Sequence, residues 1–172
     1  MSKINVEVEG SAPLLMNRFS IVEGRPIRKK HVYNPKDEAE RKSYRTSEGN
    51  LMLPSTHFKA SMIKAATDFK MSGKKSYKDY VKSGVFIMPM EIELNEQEYT
   101  IHEESVVIQR ARVMSWRPRF DKWSCNFEIE ITDESINPET LMEILETAGK
   151  YKGVGDHRPE YGRFIVKNYK IV

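Results

Sequence analysis

The sequence predicts an α+β domain in which one antiparallel sheet and two helices follow the order βαββαβ. Three observations predict it. Apolar and polar residues alternate in Ile4-Asn5-Val6-Glu7-Val8 and again in Phe127-Glu128-Ile129-Glu130-Ile131, the period of a half-buried strand. Apolar residues recur at helical spacing at Phe58, Met62, Ala65, Ala66 and Phe69, and again at Leu141, Ile144, Leu145 and Ala148. Strand-like stretches precede, separate and follow these two helical stretches, so sheet and helices must share one core.

Taken in order, the opening strand is ended by Gly10 and Pro13. From Asn17 to Asn50 the periodicity dissolves into basic residues, the aromatics Tyr33 and Tyr44, and the breakers Gly24, Pro26, Pro35 and Gly49. A loop of this length in a compact domain is commonly functional or mobile, and Pro35 to Arg45 has room for a helical turn or two. Ser55 or Thr56 is a plausible N-cap for the first helix, which the spacing carries to about Met71. Val85-Phe86-Ile87-Met88 and Glu91-Ile92-Glu93-Leu94 read as a strand with Pro89 at a kink or an edge. The run from Val106 to Met114 reads as a strand, and Trp116 to Trp123 as the tip of the hairpin that joins it to Phe127–Ile131. Asn137-Pro138-Glu139-Thr140 combines a cap, a proline at the first helical position and a first-turn carboxylate, a strong helix start. That helix should end near Gly149 to Lys152, before a final strand from Phe164 to Ile171. The order is the split βαβ arrangement of ferredoxin-like and RRM-like folds. The expected organisation is a single RRM-like domain over residues 1–172, with a long basic insertion before the first helix at 17–50 and a β-hairpin finger at 106–131.

At 172 residues the chain can bury a core without disulfide or metal. Its one cysteine, Cys125, has neither a disulfide partner nor a zinc-like spacing. No run approaches the roughly 18 apolar residues of a membrane span, and the first residues lack the apolar core of a signal peptide; the expected location is the cytoplasm, with no membrane partner. The net charge of +3 is mild but unevenly spread. Between Asn17 and Glu48, Arg18, Arg25, Arg28, Lys29, Lys30, Lys36, Arg41, Lys42 and Arg45 oppose Glu23, Asp37, Glu38, Glu40 and Glu48. Between Arg110 and Lys122, five cations face Asp121 alone. Such patches suit a polyanion, and they equally suit an ordinary solvated surface.

The segment Lys152 to Phe164 carries most information. Gly153, Gly155 and Gly162 permit backbone approaches that a side chain would block, and they bring His157, Arg158 and Arg163 near exposed amides, an arrangement suited to phosphates. Gly153-Val154-Gly155, Arg158 and Tyr161-Gly162-Arg163-Phe164 resemble the glycine-rich loop, G-x-G-x-x-R-x-x-G-x-G, that precedes the last strand in the RAMP superfamily of CRISPR-associated proteins. Glu160 and Tyr161 stand where that pattern has small residues. Leu53-Pro54-Ser55-Thr56-His57-Phe58-Lys59-Ala60 is similar to the I-P-G-S-S-L-K-G lead into the first helix of that superfamily's backbone subunits, without its glycines. The resemblance implies an RRM-like core, an extended thumb or finger, and single-stranded RNA held along a basic groove, often in a side-by-side filament. The shortness of the chain is consistent with a minimal or phage-encoded relative, whose ligand could be single-stranded DNA.

Two further groups extend the candidate interface. Trp116, Phe120 and Trp123 interleave with Arg117, Arg119 and Lys122, a mixture that could stack bases and hold phosphates; tryptophans buried in the core are the competing reading. Arg110 and Arg112, two residues apart, would share one face of their strand, and in an RRM-like sheet the open face is where RNA usually lies. With Arg18, Arg28, Lys29, Lys30 and Lys59 these complete the candidate nucleic-acid contacts. Enzyme readings are thinner. There is no H-x-x-x-H spacing, no phosphate-binding P-loop and no G-x-S-x-G, and neither cofactor nor metal is expected. A metal-independent ribonuclease using His57 or His157 as general base is chemically open, with Asp37 a weaker candidate. So is a protein-interaction subunit, such as a viral inhibitor that mimics a CRISPR backbone subunit.

Overall fold

The computed structural model describes residues 2–19 and 34–172. Its elements are β1 (Ser2–Gly10), β2 (Leu14–Leu15), α1 (Pro35–Arg41), β3 (Met52–Pro54), α2 (Ser55–Ala65), β4 (Lys70–Ser72), β5 (Lys75–Ser76), α3 (Lys78–Gly84), β6 (Val85–Met88), β7 (Glu91–Glu93), β8 (Thr100–Ile108), β9 (Ala111–Phe120), β10 (Ser124–Ile131), α4 (Pro138–Tyr151) and β11 (Phe164–Ile171). The predicted α+β class and βαββαβ order hold: β1, α2, β6, β10, α4 and β11 form a ferredoxin-like core.

The central sheet runs β11-β1-β10-β6, every neighbouring pair antiparallel. This order places the first and third core strands side by side and leaves β6 and β11 at the edges. Ile4, Val6 and Val8 face Ile129, Phe127 and Cys125 in register, and all six are buried. Against this face lie α2 and α4, packed on each other. Phe58 of α2 meets the Phe127 ring at 4.7 Å and the Phe164 ring at 5.4 Å. Ser61, fully buried where the helices meet, donates its hydroxyl to the Ala148 carbonyl at 3.4 Å. The Asn137 side chain caps α4 by accepting from the Thr140 amide at 2.9 Å.

A second sheet, β2-β9-β8, stands beside the first. α1 packs on β9, with Asn34 as its side-chain cap, and Lys42 just beyond it reaches Glu38 and the Ser115 hydroxyl of β9. Thus part of the basic stretch at 17–50 is ordered helix packed on a hairpin.

Four expectations are corrected in detail. The run Val106 to Met114 is the end of β8, a turn and the start of β9: Gln109 and Arg110 both take positive φ, 48° and 69°, as the centre of a two-residue hairpin turn. Such turns favour Asn-Gly, and neither residue advertises one. Trp116 to Phe120 is therefore strand and not tip, and the true hairpin begins at Thr100. The first helix ends at Ala65, gives one 3-10 turn at Ala66–Asp68, and is followed by the small β4–β5 hairpin; neither Ser55 nor Thr56 caps it with a side chain. Finally, β6 and β7 belong to different sheets, pairing with β10 and β3 respectively.

Candidate nucleic-acid interface

The glycine loop is tied down at both ends and near its centre by backbone hydrogen bonds. The Gly153 amide donates to Ala148, Val154 to Gly162, Asp156 to Leu15, Tyr161 to His157 and Gly162 to Pro13, all at 2.8 to 3.1 Å. The Ser11 and Ala12 amides donate to the Arg163 carbonyl at 2.9 and 3.2 Å. Val154 is fully buried beneath it. A Cβ at Gly162, whose φ is 79°, would overlap the Val154 carbonyl oxygen; one at Gly155 would stand 2.6 Å from Leu14 Cδ1 and from the Leu15 carbonyl oxygen. These glycines let the loop pack on the β1–β2 connection, and the packing fixes what it presents. His157, Arg158 and Arg163 are exposed on it, with His157 in the left-handed region at a φ of 54°.

Gly153 itself is corrected as a ligand contact: it is buried, and its amide is already spent on the end of α4. Gly155 is partly accessible.

Two groups of side chains adjoin the loop. Tyr44 packs edge-on against the His57 ring at 5.2 Å. Burial, then the nearby Asp156 carboxylate, raises the Tyr44 hydroxyl above its usual range, and Arg18 opposes them. Burial, then the Arg158 guanidinium, holds His57 below the usual imidazole range, so it is neutral near pH 7. Its Nδ1 is buried without a hydrogen-bond partner. Arg18, exposed, donates its amide to the Lys42 carbonyl at 2.9 Å.

The second group comes from the hairpin. Register pairs His102 with Arg117 and Glu104 with Ser115 on the face that meets the loop and α1. Arg117 Nη1 lies 3.3 Å from Glu104 Oε2 and 3.1 Å from Asp156 Oδ2. His157 Nδ1 and His102 Nε2 each lie 3.5 Å from the same Glu104 oxygen. Tyr161 packs against both imidazoles, at 5.4 Å from His102 and 5.5 Å from His157, with the Arg119 guanidinium over its ring at 5.8 Å. The bulky residue that departs from the small-residue loop pattern is thus the one that packs the loop onto the hairpin.

Several expected contacts are buried or already engaged by other groups of the chain, and these are corrections. Trp123 is 1% exposed, donates Nε1–H to the Ala12 carbonyl at 2.9 Å and packs on Phe164; it is a core residue, because the chain turns back into β10 there. Arg117 is buried between two carboxylates. Arg119 is engaged by Asp121 at 2.8 Å and by His102. Lys59 reaches the Val81 and Val85 carbonyls at the end of α3, and burial lowers its ammonium to about 8. Trp116 is half-buried on the outer face of the hairpin, opposite Glu103. Arg110 and Arg112 are exposed but share no strand face: Arg110 is in the turn, and Arg112 lies on β9 beside Val107. Arg28, Lys29 and Lys30 lie outside the described residues.

The open face of the central sheet also differs from expectation. It carries Glu7, Glu9, Glu128 and Glu130 with Asn5, Asn126 and Asn168. Its Lys3 is hydrogen-bonded to Glu128 at 2.7 Å and ion-paired with Glu130 at 2.9 Å, contacts that raise its ammonium above the ordinary range. These carboxylates are offset only in part by Lys3, by Lys167, which pairs with Glu9 at 3.1 Å, and by Lys170 opposite Asn5, a mixed face less suited to phosphates than the exposed arginines of the loop and hairpin. Sequence reasoning missed His102, Glu104, Asp156, Tyr161 and Tyr44. Glu104 and His102 carry an alternating signal, but only register with β9 gives it meaning.

Among the described residues no group of three or more His, Cys, Asp or Glu is placed to hold a metal ion, and no helix is long and apolar enough to cross a membrane. No protein-family model and no curated protein matches the sequence. Among solved structures, a chain of the type III-B Cmr-beta complex bound to cognate target RNA aligns over 99% of this chain and 60% of its own length, at 9% identity and a TM-score of 0.69. A CRISPR protein from Archaeoglobus fulgidus aligns over 100% of this chain and 64% of its own, at 12% identity and a TM-score of 0.44. The chain therefore spans less than two thirds of either. At 9% identity the first likeness is one of fold: the ferredoxin-like α+β chain described here is built like a chain of that CRISPR complex.

Proposed function

We propose that this protein binds single-stranded nucleic acid, RNA in the first instance, as a subunit of a larger CRISPR-type nucleoprotein assembly of the RAMP kind. The observation that carries the reading is the glycine loop, pinned through its backbone and presenting exposed His157, Arg158 and Arg163, with exposed Arg18 close enough to Tyr44 to act on it alongside the loop's Asp156. Phosphates are recognised at low ordering cost by polar side chains carried on such a fixed backbone. The finger, with Arg110 and Arg112 exposed near its tip, extends the same cationic surface away from the core. The fold likeness to a chain from a complex bound to target RNA points to the same ligand class. Self-association along the strand belongs to this reading, and β8 and β11 each offer an unpaired edge among the described strands.

Fluorescence anisotropy with labelled single-stranded RNA, single-stranded DNA and duplex DNA across a salt series tests it. Binding to a single strand should weaken steeply with salt, and Arg158→Ala should lower affinity and reduce the salt slope by about one. Equal binding to duplex, or no binding at low salt, removes the reading. Light scattering with and without the strand tests assembly: growth in mass beyond one chain per site is the expected result.

A further inference from the structure

Three nitrogens of the hairpin and loop converge on one oxygen of one carboxylate. Arg117 Nη1, His102 Nε2 and His157 Nδ1 stand 3.3, 3.5 and 3.5 Å from Glu104 Oε2. Only the Arg117 contact is a hydrogen bond, and a long one; the two imidazole nitrogens approach the same oxygen without hydrogen-bond geometry. Arg119 Nη1 lies 3.4 Å from His102 Nδ1; a guanidinium only donates, so Nδ1 accepts and Nε2 carries the hydrogen that faces Glu104. Arg117 has more to give: its Nε is buried with no hydrogen-bond partner, and its approach to Asp156 at 3.1 Å is an ion pair that misses hydrogen-bond geometry. The pocket therefore has more donor capacity than its carboxylate uses. It is also reachable: the Glu104 and His157 side chains are 34% and 44% exposed, against 10% for Arg117 and 15% for His102.

We propose that these donors form an anion pocket in which Glu104 is a displaceable internal occupant, standing where a phosphodiester group of the bound strand would sit. Three converging donors suit a group with two free oxygens better than a single carboxylate oxygen. The strand's phosphate would take the donors of Arg117 and His157 while Glu104 turns toward solvent. Arg117 stays neutralised by Asp156 throughout, so displacement leaves no buried cation alone. Glu104 then opposes binding in the free protein and raises the threshold for loading. The proposal rests on the nucleic-acid reading above and adds a subsite and a restraint to it.

The sign of one substitution decides it. Glu104→Gln keeps the shape and removes the charge; single-stranded RNA should bind about three- to five-fold more tightly, the size of one weakly screened charge contact. Adding His157→Ala to that variant should abolish the gain. If Glu104 only braces the loop, Glu104→Gln binds equally or more weakly while the wild type still binds, and the proposal is overturned. If no form binds RNA, the nucleic-acid reading fails separately, and imidazole NMR with inorganic phosphate judges the pocket. His157 and His102 resonances that titrate with phosphate in the wild type, at lower concentration in Glu104→Gln, support it; resonances that stay still in the wild type at saturating phosphate overturn it, whether or not the variant folds.

Discussion

The central sheet with its two helices and the hairpin with its glycine loop are held together by different means. The first is a stack of apolar side chains, Ile4, Val6, Phe127, Ile129, Phe58 and Leu145 among them, all buried and none dependent on charge. The second is held by backbone hydrogen bonds and by a polar cluster in which Arg117 serves two carboxylates and Glu104 faces three nitrogens. Apolar burial is tolerant of exact placement, whereas a charge network works only in one register. The difference teaches where each kind of change will act: core substitutions should cost stability, and hairpin and loop substitutions should redistribute binding.

The largest expected effect sharpens the boundary between the two. Trp123 sits in the core although its neighbours are basic, so Trp123→Ala should cost about 3–5 kcal/mol in denaturant unfolding; a loss of binding with unchanged stability would return it to the interface. Gly162→Ala, strained by its φ and by the Val154 carbonyl, should cost about 2–3 kcal/mol and free the loop, read as faster hydrogen exchange at Val154. Arg117→Met leaves Glu104 and Asp156 without their shared cation, with an expected cost of about 1–3 kcal/mol, between the ranges of buried and surface pairs. Lys59 tests the core through pH. Its folded value of about 8 lies below its ordinary 10.5, so the folded chain releases that proton first and stability rises as pH climbs between the two values. Lys59→Met should flatten that rise in pH-dependent melts. The smallest effect on stability belongs to the exposed arginines: Arg110→Ala and Arg112→Ala should change it by less than about 0.5 kcal/mol while reducing the salt slope of binding.

The sequence made the apolar region legible because a strand or helix announces itself by period alone. β1, α4 with its Asn137 cap, β10 and β11 follow directly from alternation, 3.6-residue spacing and capping chemistry. The loop was legible as glycine-rich and cationic, but its glycines could not say whether they open toward a phosphate or pack inward on Leu14 and Val154. The hairpin was misplaced because its turn uses Gln109 and Arg110, residues with no turn preference, and because the first half of β8, Thr100 to Ser105, shows no apolar alternation. His57, His102 and His157 are dispersed along the chain, yet the latter two share Glu104 through a strand register and a loop fold that no local pattern encodes.

That register sets a rule for how such a finger can change length over evolution. A single residue inserted at the base of β8 would turn Glu104 and His102 to the outer face and dissolve the contacts with Arg117 and His157. Paired insertions beside Gln109 and Arg110, one residue in each strand, would leave every base contact in place and extend the tip by about 3.4 Å per pair. The reach of the finger is therefore free to vary between descendants of this chain in small steps, while the base that carries the charged cluster is locked in phase.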